Sequence, residues 1–98
     1  MDQLEKILHK SREYARDGRV LQALEEFELA REEATEMGIE IPEEIRREVE
    51  SAAYTNGAEL QLKIALGFMS EGRSGEAEKA VQRACSYAAY AGLSLSEN

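Results

Sequence analysis

Apolar residues recur every three or four positions along most of the chain, the spacing of one face of an α-helix. Leu4, Ile7, Leu8, Tyr14 and Ala15 predict a first helix over 2–17, with Ser11 in a small slot and Asp2 as N-cap. Val20, Ala23, Leu24, Phe27, Ala30, Ala34 and Met37 predict a second over 19–37, bounded by Gly18 and Gly38. Ile39-Glu40-Ile41 is an extended link, because Pro42 biases the residue before it away from helix. Pro42, Glu43 and Glu44 open a third helix, 42–71, with acids where the helix dipole favours them. Ile45, Val49, Ala52, Ala53, Asn56, Leu60, Ile64 and Gly67 follow one stripe on it, and Tyr54, Ala58, Leu62, Ala65 and Met69 a second. Two stripes predict a helix packed on two sides. After Gly72-Arg73-Ser74-Gly75, a fourth helix over 74–92 carries Ala77, Ala80, Val81, Ala84, Ala88 and Ala91 as its core stripe. In the tail, 93–98, residues 94–98 are expected to fray, the alternative being that Leu93 and Leu95 tuck in as Ile39 and Ile41 do.

The pattern is stated twice. Shifted by 54 residues, Leu8 falls on Leu62, Tyr14 on Phe68, Gly18 on Gly72, Ala23 on Ala77, Phe27 on Val81, Ala34 on Ala88 and Gly38 on Gly92. A duplicated helical hairpin follows: one domain with a hairpin at 2–38, a link at 39–41, a longer hairpin at 42–92 and the tail. One stretch competes. Asn56-Gly57 is a hairpin-turn pair, and Leu60, Leu62, Ile64, Leu66 and Phe68 alternate like a strand. The residues before them do not alternate and no other strand exists to pair with, so helix is expected, with a kink or break at Asn56-Gly57.

Composition narrows the class. Ninety-eight residues, 43% hydrophobic and 33% charged, with one proline, suit one helical globular domain. The net charge of −8 resides in residues 25–50, where eleven glutamates face three arginines. That segment is a solvated face or a dock for a basic partner. Its sign argues against nucleic acid, which requires basic patches. A single cysteine, Cys85, excludes an internal disulfide. No apolar run approaches the length that spans a membrane, and the N-terminus does not resemble a signal peptide. A cytoplasmic protein is expected.

Tyr14, Gly18, Ala23, Phe27 and Ala30, repeated as Phe68, Gly72, Ala77, Val81 and Ala84, stand at the spacing of the tetratricopeptide repeat. Ser11 and Ala65 fill the small position in the first helix of each unit. The chain resembles two divergent units of that family, although its period of 54 residues exceeds the usual length of about 34. Thr35 and Ala89 stand where the family has proline. The resemblance implies four antiparallel helices, two hairpins with a long third helix, and a peptide groove along the first helix of each. Groove candidates are Leu8, Arg12, Leu62, Leu66 and Met69, beside Glu5, Ala15, Arg16, Glu59 and Ser70. The lysines and asparagines with which some members grip a C-terminal carboxylate are missing. Plain core packing is the simpler account of Leu62, Leu66 and Met69.

Catalytic patterns are lacking. His9, the single histidine, falls on an exposed part of its helix, and Cys85 among alanines and serines reads as a buried, inert thiol. No glutamate pairs with a histidine at metal-binding spacing, so no catalytic residue, metal or cofactor is expected. The leading expectation is a non-catalytic protein-interaction module or small adaptor. A self-associating structural subunit is the alternative, and a carboxylate-based enzyme a remote one. From Ala84 to Ser96 no charge occurs, and Tyr87 and Tyr90 lie off the expected stripe. These two with Leu93 are candidate anchors of an interface, most simply a two-fold homodimer.

Overall fold

The computed structural model describes residues 2–96, with side chains as far as residue 92. Those residues form four helices and no strand: α1 (Gln3–Arg16), α2 (Val20–Glu36), α3 (Glu43–Ser70) and α4 (Ser74–Ser96). The expected boundaries hold to within a residue or two except at the end of α4. Asp2 caps α1 by accepting from the Glu5 amide at 2.8 Å.

The three connections between the described helices begin in one way. Gly18 has φ +75° and Gly72 +76°. At the first, Gly18 N–H donates to Ala15 O at 3.1 Å and Arg19 N–H to Tyr14 O at 2.9 Å. At the second, Gly72 donates to Met69 O at 3.1 Å and Arg73 to Phe68 O at 2.9 Å. This is the Schellman closure, which needs a left-handed residue after the helix. The two turns are related bond for bond by the 54-residue shift. Gly38 and Ile39 close α2 onto Thr35 and Ala34 likewise.

The equivalence ends at Gly92. It lies inside α4, which continues to Ser96, whereas its counterpart Gly38 terminates α2. After Gly38 the chain must turn into α3. At Gly92, α4 still has α3 beside it, with Ala91 only 6% exposed, so continuing the helix keeps both its hydrogen bonds and its packing. The expected fraying from Ser94 is corrected as far as Ser96; residues 97–98 lie outside the described residues.

α3 is the common neighbour. It packs against each of the other three helices, and α1 packs against α2; among the described residues no other pair of helices packs together. Along α3 and α4 the contacts run in opposite directions: Arg73 lies over Phe68, Arg83 donates to Gln61, and Tyr90 meets Tyr54. α1 and α2 approach closely at Ser11, whose buried hydroxyl donates to Ala23 O at 2.7 Å. The main core joins Ala15, Val20, Ala23 and Phe27 of the first hairpin to Val49 and Ala53 of α3. A smaller one, Ala65, Ala77 and Ala80, lies between α3 and α4 with Ile64 and Phe68 beside it. The result is long and thin, 53 × 28 × 15 Å. Its radius of gyration of 15.5 Å exceeds the roughly 13 Å of a compact domain this size.

Neither a strand nor a break occurs at Asn56-Gly57; α3 continues through the pair. The pair has another purpose. A Cβ on Gly57 would stand 2.6 Å from Val20 Cγ2 and 3.2 Å from Tyr87 Cδ2. Glycine here lets α3 pass between the first hairpin and α4. The close approach offsets the ~1 kcal/mol that glycine costs inside a helix.

Candidate protein-docking face

The two hairpins share a turn but not a covering. On the first, residues 43–57 of α3 lie across one face. Val49 and Ala53 pack on Ala15 and Phe27, with Leu8 at the edge. Arg12 Nε is 3.7 Å from Glu48 Oε1, and Asn56 Nδ2 donates to Ala15 O at 3.0 Å. A Cβ on Gly18 would meet Asn56 O at 2.7 Å, so the backbone of α3 passes directly over that turn.

On the second hairpin the matching face is bare. Leu62 is 49% exposed, Leu66 66%, Met69 61% and Val81 39%. Of their counterparts, Ala15 and Phe27 are 1% and 3% exposed, Leu8 is half-buried, and Arg12 is exposed. Ala88 is exposed where Ala34 is buried. Above Gly72, nothing lies within 4 Å of where a Cβ would stand. Leu62, Leu66 and Met69 share one side of α3 by their i, i+4, i+7 spacing, and Val81, Cys85 and Ala88 one side of α4 by the same rule. In the first hairpin the corresponding positions meet under a single cover, and the common turn geometry sets the two rows side by side here.

Several expectations change as a result. Leu62, Leu66 and Met69 are not core, because α3 cannot cover the hairpin to which its own C-terminal half belongs. Val81 and Ala88 leave the core stripe of α4, and Tyr87 joins it beside Ala77, Ala80, Ala84 and Ala91. Cys85 is an exposed thiol instead of a buried one. Nor do the groove candidates form one groove. Leu8 and Arg12 lie under residues 43–57, while Leu66 is 18 residues past Glu48, about 27 Å along the helix.

The tyrosine candidates take different places. Tyr87 is half-buried against Gly57 and Tyr54, with its ring centroid 5.9 Å from that of Tyr54. Tyr90 is 51% exposed, with its centroid 5.2 Å from Tyr54. Burial, then Glu50 and the two neighbouring phenols, push the Tyr54 hydroxyl above its ordinary titration range. The side chain of Leu93 lies outside the described residues. His9 is exposed, 3.0 Å from Glu13. Among the described residues no three metal-binding side chains stand together, and no helix is long and apolar enough to cross a membrane.

The resemblance singled out Leu62, Leu66 and Met69 as groove candidates, but sequence reasoning missed Val81 and Ala88, because the helical period marks them as apolar without saying what covers them. The one available signal was the lack of charge after Arg83. No protein-family model matches the chain, and neither does a curated protein or a solved structure.

Proposed function

We propose that the chain is a non-catalytic protein-interaction module on a tetratricopeptide-like scaffold, which binds its partner through Leu62, Leu66, Met69 and Val81. The observation behind this is the difference between the hairpins. Single exposed leucines are ordinary on any surface. An uncharged apolar row, two of whose four counterparts in the same chain (Ala15 and Phe27) are fully buried and a third (Leu8) half-buried, is a mark of an interaction surface. The matching Schellman turns and the Ser11 and Ala65 close-packing positions support the scaffold assignment. The exposed free thiol of Cys85 fits a reducing compartment, and we place the protein in the cytoplasm.

The test compares wild-type protein with the double variant Leu66→Gln, Met69→Gln in affinity capture from the source cells. Loss of a wild-type partner with helical content and melting temperature unchanged is the expected result. Capture of every wild-type partner by the variant overturns the proposal. A second reading, a homodimer through the end of α4, is favoured by the half-exposed ring of Tyr90. Sedimentation equilibrium of wild type and Tyr90→Glu decides it: a dimer that the substitution dissolves supports this reading, and a wild-type monomer removes it.

A further inference from the structure

The chain contains a pattern for what its open face accepts. On the first hairpin the cover is one amphipathic helix, residues 43–57, running in the same direction as α1. Glu48 lies by Arg12, and further along both helices Asn56 lies by Ala15 and Gly18. The second hairpin repeats the floor of that seat with four replacements, in which both arginines are lost: Leu66 stands for Arg12, Met69 for Ala15, Val81 for Phe27 and Cys85 for Arg31. The space over Gly72, where the backbone of the covering helix would pass, is open.

We infer that the face formed by Leu62, Leu66, Met69 and Val81 is the seat of a single amphipathic α-helix of a partner protein, held as residues 43–57 are held on the first hairpin. The inference rests on the module reading above and specifies its ligand. The helix runs parallel to the second half of α3, with its C-terminal end over Gly72. A small residue or bare backbone crosses that glycine, as Asn56-Gly57 crosses Gly18. An apolar residue, not an acid, stands over Leu66. Area favours a helix over a second folded copy. Four partly exposed side chains offer on the order of a few hundred Å², whereas a standard interface of folded partners buries about 800 Å² on each side.

The probe is a synthetic peptide of residues 42–58 of this chain, made unmodified and with Glu48→Leu. Each is titrated into the full chain while methyl resonances are followed. The Glu48→Leu peptide is expected to shift the methyls of Leu62, Leu66, Met69 and Val81, leaving Leu8 and Leu24 in place. It is expected to bind about tenfold tighter than the unmodified peptide, which sets a carboxylate over Leu66. In a Leu66→Arg chain the preference should reverse, because that substitution restores the pair made by Arg12 and Glu48. A spin label at the C-terminal end of the peptide should broaden Met69, and one at the N-terminal end should not.

Binding of neither peptide, shifts confined to the first hairpin, or no reversal in the Leu66→Arg chain overturns the helical seat. Dimerisation of the wild-type chain through these methyls would put a second copy there and overturn it too. If the peptides fail while Leu66→Gln, Met69→Gln still abolishes partner capture, the seat is refuted and the module stands. Failure of both experiments refutes both.

Discussion

The Asn56 side-chain amide donates to the carbonyl of Ala15 across 3.0 Å, joining the middle of α3 to the last turn of α1. The Ala15 carbonyl already accepts from Gly18 N–H in the turn, and α3 supplies a second donor to it just where Gly18 and Gly57 let the helix approach. The crossing therefore depends on one hydrogen bond and two missing side chains.

Glycines in the same helix should respond in opposite directions. Gly57→Ala gains helix propensity but drives a methyl into Val20 and Tyr87. It should lower stability by ~1–3 kcal/mol. Gly67 has nothing within 4 Å of its would-be Cβ. Gly67→Ala should raise stability by ~0.5–1 kcal/mol. Urea unfolding of both variants measures the difference, and equal effects would contradict the crossing.

Ser11 fills its slot by size. Ala65 takes the same place in the second hairpin and is equally buried. Ser11→Ala removes a donor and leaves Ala23 O, so it should cost no more than ~1.5 kcal/mol. Ser11→Leu should overpack the site and lower the melting temperature far more. Thermal denaturation followed by circular dichroism separates them.

The uneven covering of the two hairpins predicts uneven mutational sensitivity. Phe27→Ala should cost ~3–5 kcal/mol, because the ring is buried under α3. The equivalent change, Val81→Ala, should stay within ~1 kcal/mol on the bare face. Chemical denaturation of the two variants is sufficient. A large loss at Val81 would show that face to be part of the core.

At the start of α3, Arg46 bonds Glu43 and holds its carboxyl below the ordinary value of 4.5. A folded-state pKa below the unfolded one stabilises above pH ~4.5, and this contribution is lost as pH falls through the folded value. Arg46→Gln should return the Glu43 titration toward the ordinary range, as followed by carboxyl carbon NMR. An unchanged titration would remove Arg46 as the cause.

The sequence by itself determined the four helices, their hinges and the 54-residue duplication. Each depends on neighbours a few residues apart: apolar residues at i, i+3 and i+4, a capping Asp2, and glycine where φ must be positive at 18 and 72. Those signals are local, so a linear pattern carries them. Which apolar faces are covered is not local. Leu8 and Leu62 are the same residue type at equivalent positions, yet only Leu8 lies under residues 43–57. Gly38 and Gly92 are the same residue too, yet Gly38 follows the end of α2 with positive φ, where the chain turns toward α3, while Gly92 lies inside α4. Asn56-Gly57 resembles a hairpin turn until Val20, Tyr87 and Ala15 surround it. Tertiary structure settled these points, because burial depends on where a distant segment lies. Here α3 is long enough to cover the first hairpin while forming one side of the second, and so leaves the second open.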